Sequence, residues 1–126
     1  QKTNAQIHIL VRADTESQAL TRVEDALRHR LQLTLDEELR DRIHVVLGDL
    51  AQPFLGLSEE FFERLAREIN VILHNGARVH WMLPYEKLKP TNVQGTIEVL
   101  KLATYGDKAI PVHFVSTTSV FDSPSY

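Results

Sequence analysis

The sequence predicts an α/β domain built on a parallel sheet with helices on both faces. Three observations carry that expectation. Four short apolar stretches, at Gln6–Arg12, Ile43–Leu50, "VILHN" (71–75) and "PVHFVSTT" (111–118), alternate with helical patterns. The stretches are near-continuous and rich in β-branched residues, as strands covered on both faces require. The chain between them is long enough for crossover helices, which parallel neighbours need.

The elements follow in order. After "QIHILVR", Thr15 with Gln18 three residues on is a capping-box signal. Ala19, Val23, Ala26, Leu27 and Leu31 then share one helical face. "DEELRDR" reads as a short charged helix or loop, and "IHVVLGDL" as the second strand, ended by Gly48. "AQPFLGLS" is turn-rich. Ser58 can cap the helix that follows, with Glu59 and Glu60 in the first turn where the dipole favours acids. Phe61, Phe62, Leu65 and Ile69 form its inner stripe. "VILHN" is the third strand. A helix whose Val93, Ile97 and Leu100 share a face comes next, with Pro90 in its first turn and Gly106 closing it. "PVHFVSTT" is the fourth strand.

Composition narrows the functional classes. With 126 residues, one domain with a real core is expected across residues 1–126. A net charge of −3 and no Lys/Arg-rich run argue against nucleic acid and anionic membranes as partners. The absence of cysteine excludes disulfides, Cys-ligated zinc and thiol nucleophiles, and fits a reducing, cytoplasmic setting. No apolar run is long enough to span a bilayer and no signal peptide is visible. The chain opens without Met and almost at once enters a strand, and it closes soon after another. Both ends read as cut from something longer.

Ligands of open α/β sheets sit beyond the carboxyl ends of the strands. That singles out Arg12, the "GDL" at Gly48–Leu50, the "HNGA" at His74–Ala77 and the hydroxyls after strand four. In a dinucleotide fold, an Arg at the first of these positions accommodates the 2′-phosphate of NADP. Gly76 lets a ligand approach the backbone, and a Ser/Thr hydroxyl can bond a substrate carbonyl. Each has an ordinary explanation too: a surface Arg, a turn Asp, a turn Gly, a turn-capping hydroxyl. His8, His44 and His113 lie in strands, where half-buried structural roles are expected. No HExxH or convergent carboxylates suggest a metal.

"GDLAQPFLGLS", "VILHNGARVHWMLPYEKLKPTNVQGT" and "PVHFVSTTSVFDSPSY" together closely resemble the thioester-reductase domain of nonribosomal peptide synthetases. Fungal α-aminoadipate reductases are similar especially through "HNGA.VHW..PY.KL". The family belongs to the extended short-chain dehydrogenases/reductases, with a Rossmann-like fold. The resemblance implies NADPH-dependent reduction of a thioester held on the phosphopantetheine arm of a carrier domain, releasing an aldehyde. It also implies an adenylation domain in the same parent chain.

By position, Arg12 would hold the 2′-phosphate, Asp49 and Leu50 would border the adenine, and Asn75, Gly76 and Ala77 would run along the cofactor. Asn92 matches the helix Asn that supports the catalytic layer, and Thr117 the hydroxyl that bonds the substrate carbonyl. Two family features are absent from this sequence. There is no GxxGxxG phosphate loop, and no Tyr-x-x-x-Lys follows Thr117: Tyr126 has no Lys behind it, and Tyr85 and Lys89 precede the Thr. The expectation is a central slice of a reductase domain, first strand and C-terminal part missing. Alone it should be inactive and bind NADPH weakly, with an exposed sheet edge. The competing expectation is a noncatalytic Rossmann-like binding domain.

Overall fold

Pairing of the four strands decides the architecture. In the computed structural model, residues 3–118 are described. β1 (Ile7–Val11) pairs in parallel with β2 (Ile43–Leu47), and β3 (Ile72–His74) in parallel with β4 (Val112–Phe114). The expected single sheet is therefore two separate pairs among the described residues. In the doubly wound order 3-2-1-4-5-6, strands 2 and 3 are neighbours, strands 4 and 5 are neighbours, and 2 and 4 are not. The two observed pairings are those two neighbour relations, so the fold is α/β and Rossmann-like. The strands are shorter than their apolar stretches: β2 stops before Gly48, and β4 stops before the hydroxyl-rich residues. Contacts divide the chain into two units, Gln1–Asp49 and Leu50–Tyr126.

The first unit holds β1, α1 (Glu16–Leu31), α2 (Glu37–Arg40) and β2. Its register runs from Ile7 opposite Ile43 to Val11 opposite Leu47, and Gly48 N–H extends the ladder to the Val11 carbonyl at 3.2 Å. Thr15 caps α1 by accepting the Gln18 N–H at 3.3 Å. Gln18 Oε1 reaches back to the Asp14 N–H at 3.2 Å, one residue beyond the usual return partner. Only Ala19 and Val23 of the expected stripe are buried, as is Val46 on β2; Ala26 is exposed and Leu31 is 61% exposed. The stripe is narrowed because a two-stranded pair covers only part of a helix of 16 residues. Asp36 caps the short α2 through Oδ1 and Leu39 N–H, 2.8 Å.

The second unit begins with a left-handed turn at Pro53–Gly56, where Phe54, Leu55 and Gly56 have φ of 53°, 60° and 75°. Bulky residues adopt this region at a cost of about 1–3 kcal/mol each, so the surroundings must compel it. They do. Leu55 is buried, and Glu98 Oε2 accepts the Phe54 N–H at 2.7 Å. Lys101 Nζ sits 3.6 Å from the Phe54 ring centroid, a cation–π contact. The same ring meets Phe62 edge-on at 5.3 Å, and Phe62, fully buried, meets Tyr105 edge-on at 5.4 Å. Phe62 lies on α3 (Glu59–Glu68), which Ser58 caps as expected. Its buried residues are Phe62, Leu65 and Ala66; Phe61 and Ile69 are only half-buried, and Phe61 packs under the Arg64 guanidinium.

A helix interrupted by a π segment follows β3. α4 (Tyr85–Lys89) passes through a π segment, Pro90–Gln94, into α5 (Gly95–Ala103). Pro90 therefore opens the π segment rather than a first turn. Proline has no N–H for the helical ladder, and the ladder widens so that the Gly95 N–H reaches the Pro90 carbonyl. The expected face of Val93, Ile97 and Leu100 is exposed; Gly95, Val99, Leu102 and Ala103 are buried instead. This helix carries two apolar stripes, and among the described residues one of them is buried. It ends at Thr104, and Gly106 is not its left-handed cap. His8, His44 and His113 are exposed, contrary to expectation, because each strand pair is open on one face. The buried histidine is His74, 4% exposed.

Replacing Glu98 with Ala removes the acceptor of the Phe54 N–H and releases the left-handed turn. Denaturant unfolding should show a loss of about 1–3 kcal/mol. A variant of unchanged stability would show that the turn is held by packing alone.

Candidate functional site

Each unit places its expected residues at the carboxyl ends of its strands. In the first unit, Arg12 directly follows β1 and its guanidinium lies 3.9 Å from the Asp49 carboxylate. The Arg12 side chain is 81% exposed, so the pair is a surface contact worth little, and the cation can exchange it for another anion. A second cation stands beside it. Arg22, on α1, donates from Nη1 to the Arg12 carbonyl. Sequence reading missed Arg22; its only signal is its position on the helix that leaves the Arg12 loop.

The second unit builds its strand-end site around Leu50. A Cβ on Gly76 would come within 2.4 Å of Leu50 Cδ1, and one on Gly95 within 2.8 Å of the Leu50 carbonyl oxygen. Both glycines thus make room for Leu50, a use of Gly76 distinct from the ligand approach expected of it. Beside them lies a chain of hydrogen bonds. His74 Nε2 and Thr96 Oγ1 are 3.1 Å apart, and Thr96 Oγ1 donates to the Asn92 carbonyl at 2.6 Å. With its own proton used there, the Thr96 oxygen can only accept from the ring, so Nε2 carries the hydrogen. Burial pushes the His74 pKa below its ordinary value.

Asn92 completes the network. Its Oδ1 accepts the Arg78 N–H at 2.7 Å, and its Nδ2 donates to the Arg78 carbonyl at 3.0 Å. One side-chain amide therefore grips both backbone groups of the residue after Ala77, fixing the path of Asn75–Ala77. The π segment that carries Asn92 is a frequent marker of functional positions. Val115 N–H bonds the His74 carbonyl at 3.0 Å, which carries the β3–β4 ladder one residue past Phe114. Thr117 follows two residues later and is exposed. The "SVFDSPSY" that carries part of the resemblance, Tyr126 included, lies outside the described residues. Among the described residues, no group of three or more His, Asp or Glu side chains could hold a metal ion, and no helix is long and apolar enough to cross a membrane.

The parallel pairings, with candidate residues at the carboxyl ends of the strands within each unit, have the form of a dinucleotide-binding α/β fold. Comparison with known proteins agrees. The chain belongs to the NAD-binding family described as "Male sterility protein", whose profile matches residues 1–126. It is 50% identical over 125 residues to a subunit of the linear gramicidin synthase of Brevibacillus parabrevis, covering 98% of this chain and 2% of that protein. It is 43% identical over 117 residues to the L-2-aminoadipate reductase large subunit of Penicillium chrysogenum, covering 93% of this chain and 8% of that one. Among solved structures it is similar to the terminal R domain of the myxalamid pathway, with TM-score 0.87, 45% identity, and coverage of 94% of this chain and 30% of that one. A reductase domain of a Mycobacterium tuberculosis nonribosomal peptide synthetase gives TM-score 0.73 and 33% identity, covering 94% and 28%. The chain thus spans less than a third of these reductase-domain structures and under a tenth of these two curated relatives.

Two measurements test this site. Gly95→Ala should lower stability by about 1–3 kcal/mol through the clash with the Leu50 backbone, despite the better helix propensity of Ala; a more stable variant would contradict the packing. His74 gives a pH signature. Its folded pKa is lowered, so the unfolded chain binds more protons between that pKa and its own of about 6.5. Stability should therefore fall as pH drops below about 6.5, and His74→Gln should flatten that part of the profile. Equal slopes in wild type and variant would show that other groups set the pH dependence.

Proposed function

We propose that this chain is the central part of a reductase domain that uses NADPH to release a thioester from the phosphopantetheine arm of a carrier domain as an aldehyde, with α-aminoadipate semialdehyde or a related acyl or peptidyl product. The observation that carries the reading is the joint match to nonribosomal peptide synthetase reductase domains in sequence and in fold. The parent chain would also hold the adenylation domain that loads the carrier.

The donor set fits an NADP-type cofactor at its adenosine end. Arg12 offers an exposed guanidinium to the 2′-phosphate, and displacing the weak Asp49 contact costs little. Asp49 and Leu50 border the adenine in this reading. Asn75, Gly76 and Ala77 line the cofactor on a path that Asn92 holds through Arg78. NADPH, when bound, supplies the hydride to the thioester carbon. Thr117 donates its hydroxyl proton in a hydrogen bond to the carbonyl oxygen, stabilising charge that grows there. The thiohemiacetal so formed breaks its C–S bond, leaving an aldehyde and the arm's free thiol. The proton donor and its lysine partner are not in this sequence, nor is a glycine-rich phosphate loop. The chain alone is therefore expected to turn over nothing.

The test uses the full reductase domain containing this chain. Arg12→Asp should weaken NADPH at least tenfold while leaving NADH nearly unaffected, and unchanged discrimination would remove Arg12 from the 2′-phosphate. Thr117→Val should lower kcat by roughly a hundredfold with little change in cofactor affinity. Normal turnover would take Thr117 out of the chemistry, and a domain that reduces no thioester at all would overturn the assignment.

A further inference from the structure

The loop that follows β3 is held at both ends by two neighbours on one helix. Asn92 and Thr96 stand four residues apart, a spacing that sets side chains one above the other on a helical face. Asn92 takes the far end of the loop, where its amide meets the Arg78 N–H and carbonyl. Thr96 takes the near end, where its Oγ1 accepts from His74 Nε2, 3.1 Å away. The two holders are themselves joined, because the Thr96 hydroxyl back-bonds to the Asn92 carbonyl at 2.6 Å. His74, Thr96, Asn92 and Arg78 therefore close a ring of hydrogen bonds, with the Asn75–Ala77 backbone as its remaining side. Every member belongs to the unit Leu50–Tyr126.

A ring of this kind fixes a distance. The helix sets the separation of Thr96 from Asn92, and with it the span that the loop must cover between His74 and Arg78. Midway, Gly76 packs so closely on Leu50 that a Cβ there would lie 2.4 Å from Leu50 Cδ1. The loop is thus held at its two ends and at its middle. His74 is buried and Thr96 half-buried, and the Thr96 hydroxyl is committed to the ring through its proton and a lone pair. We infer that Thr96 and His74 are positioning residues for the nicotinamide cofactor: acting through Asn92 and Arg78, they set the span of Asn75–Ala77 so that its backbone lies where the cofactor meets it. The link to a cofactor rests on the reductase reading above; the ring itself does not.

The experiment uses the full reductase domain containing this chain, with a small soluble thioester as substrate. Thr96→Val keeps the volume and removes the hydroxyl, and it should raise KM for NADPH about tenfold, as loss of about one hydrogen bond does. Its kcat should stay within about threefold of wild type, because a loosened binding loop costs affinity and leaves the chemistry in place. Thr96→Ser keeps the hydroxyl and should keep a KM near that of wild type. His74→Leu removes the N–H that Thr96 accepts; it should also raise KM, and combined with Thr96→Val it should add little, since both break one bond. Hydrogen exchange reads the ring without turnover: in Thr96→Val the Arg78 amide should exchange about tenfold faster, with the Val99 and Leu102 amides of α5 unchanged. Should the Val variant not fold, Thr96→Ala lacks the same hydroxyl, favours helix and decides by the same two readings. Arg78 exchange equal to wild type would overturn the ring. A faster Arg78 amide with normal KM for NADPH would overturn the positioning role, as would a serine variant as impaired as the valine one, or full additivity with His74→Leu. A wild-type domain that binds no NADPH, yet shows faster Arg78 exchange on loss of the hydroxyl, would overturn the cofactor reading and leave the ring standing.

Discussion

The strand-end site of the second unit depends on the widened helical turn at Pro90–Gln94. Without an amide hydrogen, Pro90 cannot continue the α-ladder, and the helix passes through a widened turn before resuming at Gly95. Asn92 and Thr96 lie in and just after that turn. From there Asn92 commits its whole side-chain amide to the Arg78 backbone, while Thr96 links the Asn92 carbonyl to His74 at the end of β3. A local failure of regular helix thus supplies the hydrogen bonds that hold the glycine loop. Gly76 and Gly95 let the same region close around Leu50, whose backbone and side chain occupy the space that two methyl groups would fill.

This arrangement separates positioning from contact. Asn92 has both ends of its amide bonded to the main chain, so what it does is fix the loop at Arg78. His74, whose charged form burial disfavours, ties strand to helix. In the first unit the Arg12 side chain is exposed, and in the second Thr117 is an exposed residue.

Much of this was legible in the sequence, for identifiable reasons. Four apolar stretches separated by capped helical patterns specify a parallel α/β fold, and Thr15 and Ser58 cap where their hydroxyls suggest. The resemblance carried by "VILHNGARVHW" and "NVQGT" led to the right family. Other features were hidden. A helix with two apolar stripes does not declare which one will be buried, and α5 buries Val99 and Leu102 rather than Ile97 and Leu100. Nothing in "PFLG" but its glycine hints that Phe54 and Leu55 turn left-handed; that conformation is imposed by Glu98, Lys101 and Phe62, all outside the turn in sequence. The strand histidines read as half-buried from their place in apolar stretches, and the structure leaves His8, His44 and His113 exposed.

The parallel pairings also shape how the chain reaches this structure. Ile7 must find Ile43 across an entire helix and a short second one, and Ile72 must find Val112 across the helix that the π segment interrupts. Neither of these parallel pairs can be joined by a tight hairpin, so among the described strands no ladder forms locally, and loop-closure entropy is lost before any ladder bond offsets it. Capped helices such as α1 and α3 need only their own neighbours in sequence. Helix formation should therefore precede sheet formation, leaving the ladders, with the loops that hang from their ends, among the last parts of the molecule to acquire their shape.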